Sequence, residues 1–225
     1  MENSLFLHEE ILLLALRDEK GTIAPGTMYQ FAVGGAILAE LLLRGRVTVE
    51  ESKQKKFAKL VTTTPVGDPL IDECITKIDV AKRRATLQTW VSRFGNLRNL
   101  KHRLAKQLCD RGILRADQDQ VLLIFTRKTY PETNPRPERE LMERLRKAIF
   151  TDTGDVDPRT VVLVSLANSA GLLKVAFEKK KLKSRKARIE QIVNGEMTGN
   201  AARDAIQAMQ TAVMVATIMP VIVTT

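Results

Sequence analysis

Apolar positions along the chain recur mostly at helical spacing, and only two stretches suggest strands. "HEEILLLALRDEKG", residues 8–21, reads as an amphipathic helix opened by acids and stopped at Gly21. Thr27 can cap a second helix, Met28 to Arg44, which ends at Gly45. Gly34 and Gly35 sit inside it at a propensity cost of about 1 kcal/mol each, which points to another backbone approaching closely. "RVTVE" and "KLVTTT", flanking a lysine-rich turn, predict a hairpin. Asp68-Pro69 supplies a cap and a first-turn proline for a helix through about Ile78. A shorter helix carries Trp90, and another runs from about Leu97 to Gly112. "ILRA" and "VLLIF" predict a second hairpin around "DQDQ", and the proline-rich "YPETNPRP" predicts a loop. Four further helices are expected, at 138–150, 158–170 (Asp157 cap, Pro158 first), about 177–194 and 199–218. The expected fold class is mainly α: one compact multi-helix domain over 1–225 with two small β-hairpins and no dividing linker.

Composition changes this picture little, but charge changes it more. Aromatics make up only 4% of the chain, so aliphatic packing must dominate and a base-stacking platform is disfavoured. The net charge of +10 is unevenly spread: residues 1–50 hold four Lys/Arg against seven Asp/Glu, which leaves +13 on the remainder. Such a basic region suggests an acidic partner, either nucleic acid or an anionic membrane. Cys74 and Cys109 form no CxxC, and with only two histidines a zinc site is not expected; reduced, intracellular thiols are the default. The N-terminus lacks the pattern of a signal peptide. "AVMVATIMPVIV", residues 212–223, is too short to span a bilayer and reads as a buried helix and its exit.

Signatures of catalysis are missing: there is no phosphate loop, dinucleotide fingerprint, nucleophile elbow or HExxH. His8 beside Glu9 and Glu10 reads as an acidic first helical turn favoured by the macrodipole rather than as acid–base machinery. Cys109 reads as an inert thiol and Trp90 as a core anchor. Two cationic features remain. "KVAFEKKKLKSRKAR", residues 174–188, holds eight Lys/Arg and one acid, the pattern of a solvated surface helix. In "NLRNLKHRLAKQL", residues 96–108, Leu97, Leu100, Leu104 and Leu108 make an apolar stripe. Arg98, His102 and Lys106 point away from that stripe, and Lys101 borders it. At helical spacing Arg98 and Lys101 would be neighbours one turn apart. A helix, a glycine and a hairpin also outline a winged-helix nucleic-acid binder. Five consecutive apolar residues in one wing strand argue against that alternative, because both faces of such a strand want burial.

"LFLHEEILLLALRDEKG", the helix ending "GGAILAELLLRGRV", "NLRNLKHRLAKQLCDRGIL" with "VLLIF" after it, and "TVVLVSLANSAGLL" together resemble the Golgi phosphoprotein 3 family (GPP34 domain) over roughly residues 5–215. The resemblance implies a helical domain with a projecting hairpin and no catalytic activity or cofactor. It also implies binding of phosphatidylinositol 4-phosphate at membranes and, in eukaryotes, of cytosolic tails of Golgi glycosyltransferases. The family's headgroup pocket uses a loop Trp, an Arg on the second helix and two basic residues one turn apart on a later helix. The last pair falls on Arg98 and Lys101, with His102 and Arg103 as further candidates. The loop "TIAPGTMYQ" holds no Trp, and Gly34 stands at the Arg position. Val121, Leu122, Leu123, Ile124 and Phe125 are expected to serve the hairpin in self-association or membrane contact. The expectation is a cytoplasmic, peripheral membrane protein (on the Golgi if eukaryotic), with nucleic-acid binding as the weaker alternative.

Overall fold

Three apolar helices make the centre, because their sequences leave no continuous polar face to turn towards solvent. The computed structural model describes residues 4–17, 21–121, 125–152 and 154–196. Helix α1 (Leu7–Ala15) is buried along its whole length, α2 (Tyr29–Leu43) from Ala32 to Leu41, and α7 (Pro158–Ser169) from Thr160 to Ala167. Leu12, Ile37, Leu38 and Leu163 are fully buried, each contributing about 1.5–3 kcal/mol of transfer free energy.

Amphipathic helices surround this centre. They are α3 (Pro69–Asp79), α4 (Leu87–Gly95), α5 (Leu100–Asp110), α6 (Arg136–Phe150), and the shorter α8 (Leu173–Ala176), α9 (Lys179–Ser184) and α10 (Lys186–Val193). Two of the three predicted caps are in place: the Asp68 carboxylate accepts from the Leu70 and Ile71 amides at 3.0 and 2.8 Å, and Asp157 accepts from Thr160 at 2.9 Å. Thr27 does not cap α2, which starts at Tyr29; its hydroxyl donates to the Ala24 carbonyl at 2.8 Å instead. Helices α2 and α4 cross at two glycines. A Cβ on Gly34 would lie 2.2 Å from the Val91 carbonyl oxygen, and one on Gly95 would lie 2.7 Å from that of Gln30. The close backbone approach expected for the α2 glycines is real at Gly34, and no side chain fits there.

Several predicted boundaries move, each for a local reason. Helix α1 stops at Ala15, not Gly21, because Leu16 is already extended; Leu16–Arg17 (β1) pairs with Thr22–Ile23 (β2). The first hairpin joins β3 (Val47–Ser52) to β4 (Lys55–Leu60), so its second strand starts four residues before the predicted "KLVTTT". Lys53 and Gln54 form its two-residue turn, both at positive φ (49° and 62°), matching the strand twist without the usual Asn-Gly signal.

The second hairpin is corrected more deeply. Its strands are β5 (Asp117–Val121) and β6 (Phe125–Thr129), with Val121 paired to Phe125. "DQDQ" is therefore strand rather than turn, and "VLLIF" is not one apolar strand; Leu122, Leu123 and Ile124 lie outside the described residues, between the two strands. Of "ILRA", only Leu114 makes a bridge, to Glu132. The helix expected over 177–194 breaks at Arg185, whose Nε–H donates to the Ile149 carbonyl at 3.0 Å while its guanidinium holds Asp152 at 2.8 Å. Arg188 donates to the Ala148 carbonyl at 3.2 Å, so two cations of the basic stretch satisfy carbonyls at the end of α6. The predicted helix 199–218 lies outside the described residues.

Candidate anion-binding site

The expected site begins where α4 gives way to α5. Asn99 adopts the left-handed conformation (φ 56°, ψ 27°) and α5 starts only at Leu100, a geometry that Asn tolerates better than most residues. Leu100, Leu104 and Leu108 form the predicted buried stripe, but Leu97 and Arg98 precede the helix. The one-turn helical spacing assigned to Arg98 and Lys101 therefore does not hold. Arg98 is exposed in the α4–α5 turn, whereas Lys101 is half-buried with its Nζ 5.7 Å from the centre of the Tyr130 ring.

Three of the four candidate residues divide between two hollows, and Lys101 is in the lining of neither. His102 and Arg103 line one of about 880 Å³ beside the second hairpin, together with Lys106, Lys128 and Tyr130. Both already have partners. His102 Nδ1 lies 2.7 Å from the Tyr130 hydroxyl, and the Arg103 guanidinium bonds the Glu73 carboxylate. Partial burial, then the charges of Lys101 and Lys128, push the His102 pKa below its ordinary value. That shift disfavours the charged ring, so His102 is poorly suited to supply a cation for an anion.

Arg98 lines the other hollow, a groove of about 750 Å³ between α3 and α4 that sequence reading did not assemble. Lys77, Lys82, Arg83 and Arg93 join it, with Glu73 as the acid and Trp90 in the wall. Glu73 also holds Lys77 at 3.4 Å. Burial opposes its ionisation, but Arg103 and Lys77 outweigh that and hold its pKa below the usual carboxylate range. The groove draws from α3, the α3–α4 connection, α4 and the α4–α5 turn, so no single sequence window displayed it.

A second charged assembly is structural. Glu9, Glu10 and Glu40 are almost fully buried, at 2%, 4% and 1% exposure. Glu9 accepts from Arg111 at 2.6 Å and from the Phe6 amide at 2.9 Å, and Glu10 accepts from Arg144 at 2.7 Å. Glu40 accepts from Arg159 at 2.6 Å, from Arg44 at 3.0 Å and from the Leu7 amide at 2.8 Å. Burial alone would raise the Glu40 pKa, but Arg159 and the Leu7 amide bring it below the usual range. For Glu10, burial prevails over Arg144 and Arg159, and its pKa is raised. Glu9 and Glu10 do open α1 as predicted, yet their main partners are distant arginines. An acid inside the apolar run "AILAELLL" was the available signal for Glu40. His8 is fully buried, with Nε2 3.3 Å from the Asp68 carboxylate and its ring stacked on Phe6 at 5.6 Å.

The remaining candidates behave as structure. Cys74 and Cys109 are free thiols, and burial, then a neighbouring acid, pushes both pKa values up, away from the reactive thiolate. Trp90 is 2% exposed and packs on Phe94 at 5.4 Å. Among the described residues no helix is long and apolar enough to cross a membrane, and no His/Cys/Asp/Glu group forms a metal cluster.

The chain is 26% identical over 204 residues to a vacuolar protein sorting-associated protein 74 of Eremothecium gossypii, an alignment covering 76% of this chain. It spans 61% of that relative's length. The profile of the Golgi phosphoprotein 3 (GPP34) family matches residues 7–209, nearly the whole described fold. With its central helices, its α4–α5 corner and its second hairpin all inside that match, the chain belongs to the Golgi phosphoprotein 3 family.

Proposed function

We propose that this protein is a non-catalytic peripheral membrane protein that binds an acidic, phosphatidylinositol 4-phosphate-like headgroup through Arg98 and Lys101. It would act as an adaptor for membrane proteins, on the Golgi if its cell has one. The observation that carries the reading is Arg98: an exposed guanidinium, without an acid partner among the described residues, in a family whose name places it at a membrane compartment. The relative's name, a vacuolar protein sorting protein, points to the same kind of traffic. His102 and Arg103 would serve as support rather than grip, since Tyr130 and Glu73 already engage them. The run Val121 to Phe125, which begins at the last residue of β5 and ends at the first of β6, would mediate self-association or membrane contact. Nucleic acid gains no support from the family match.

Co-sedimentation with acidic vesicles tests this directly. Binding is expected to weaken as salt rises. Each cation near an anionic surface contributes about 1 kcal/mol, so Arg98→Ala with Lys101→Ala should lose about 30-fold in affinity. A double variant that sediments like the parent would remove the assignment.

A further inference from the structure

We propose that the α3–α4 groove is a second binding site, one that takes a phosphate-bearing anion. It shares only Arg98 with the membrane reading and rests on three observations of its own.

The first is convergence of charge. Lys77, Lys82, Arg83, Arg93 and Arg98 reach one groove from four segments, against the single carboxylate of Glu73. Glu73 is already bonded by Lys77 and Arg103. No described acid pairs with Lys82, Arg83, Arg93 or Arg98. Cations gathered without counter-charges repel one another, and a bound anion relieves that repulsion.

The second is the donor inventory. Trp90 stands in the wall of this groove with its indole N–H buried and no acceptor among the described residues. Buried polar groups nearly always find a partner. With Glu73 engaged, the lining offers Lys and Arg donors and wants acceptor oxygens. A phosphomonoester brings three such oxygens and close to two negative charges, which suits guanidinium forks and ammonium groups better than a carboxylate does.

The third is the position of Arg93. Its guanidinium lies 4.7 Å from the centre of the Trp90 ring. An anion drawn to Arg93 shifts that cation on the indole, so occupancy of the groove is coupled to the surroundings of Trp90. The phosphate could belong to a lipid headgroup or to a soluble compound; the recognising chemistry is the same.

Trp90 is the chain's single tryptophan, so the indole emission comes from this one residue of the groove wall. The full chain would be titrated at constant ionic strength with inorganic pyrophosphate, and separately with phosphatidylcholine vesicles carrying a phosphorylated inositol lipid. A saturable change in emission is expected with at least one probe, weakened about tenfold or more by Lys82→Ala with Arg83→Ala. Lys179→Ala with Lys180→Ala, on α9 outside the groove, should leave it unchanged. A response to pyrophosphate assigns the site to phosphate as such, and a response to vesicles alone assigns it to lipid-borne phosphate. The proposal is overturned if neither probe gives a saturable change, or if the change persists undiminished in the Lys82/Arg83 variant. Sedimentation of Lys101→Ala, which lies outside the groove, reports separately on the membrane reading. Pyrophosphate saturation without vesicle binding would sink that reading alone, and vesicle binding without a Trp90 response would sink the groove alone.

Discussion

The two charged regions of this protein use the same side chains to opposite ends. Around the start of α1, Glu9, Glu10 and Glu40 are buried and each is held by an arginine within 2.7 Å. In the α3–α4 groove, Lys82, Arg83, Arg93 and Arg98 are exposed and lack acid partners among the described residues. Removing an arginine of the first set strands a buried carboxylate, and removing a carboxylate leaves its arginine unmatched, whereas removing a member of the second relieves repulsion. Matched buried charge specifies the fold, and unmatched exposed charge remains available to a ligand.

The largest test of that contrast is Glu40→Ala. It would leave Arg44 without its carboxylate, Arg159 with only Glu10 at 3.8 Å, and the Leu7 amide without its acceptor. Stability in urea should fall by about 3–5 kcal/mol, whereas Arg98→Ala should change it by less than about 0.5 kcal/mol. Equal effects would erase the distinction. Next comes Gly34→Ala, whose added carbon meets the Val91 carbonyl at 2.2 Å. A loss of about 1–3 kcal/mol is expected from overpacking, and a neutral result would mean that α2 and α4 separate freely.

Acid sharpens the comparison further. Burial opposes ionisation of Glu40 and Asp68, but Arg159 for the one and His8 for the other hold both pKa values below the ordinary 4.5 and 3.8. Both groups bind fewer protons folded than unfolded. Their contribution is therefore complete above those ordinary values and is lost as pH falls through the lower folded ones. Glu10, raised by burial, runs the other way and softens the fall. Urea midpoints should thus hold near neutrality and drop below pH 4.5; a midpoint that rises on acidification would reverse the assignment. The smallest expected effect is lipid discrimination. With no Trp in the 22–30 loop and Gly34 packed against α4, preference among vesicles of equal surface charge should stay under about tenfold. A larger preference would mean that other residues complete the pocket.

Most of the fold could be read from spacing and caps. Asp68-Pro69 and Asp157-Pro158 marked their helices, and the buried stripe of α5 followed from three leucines. The misreadings occurred where a single residue or a distant partner decides. Asn99 turns left-handed and takes Arg98 off the helix, although nothing in "NLRNLK" distinguishes it from a helical Asn. Arg185 breaks a helix because carbonyls at the end of α6 lie within its reach. The resemblance carried Arg98 and Lys101 as a pair. Lys77, Lys82, Arg83 and Arg93 could be recognised as its neighbours only once α3 and α4 were packed together.

The ion pairs of α1 and α2 also set an order of assembly. Glu9, Glu10 and Glu40 find Arg111, Arg144 and Arg159 at sequence separations of 102, 134 and 119 residues. During synthesis, helices α1 and α2 leave the ribosome well before those arginines exist. Until α7 emerges, their carboxylates must stay hydrated, which keeps the most apolar pair of helices from closing early. Contacts of such long range slow folding, and the nascent chain exposes apolar surface while it waits. The central helices are thus the first made and among the last to be finished.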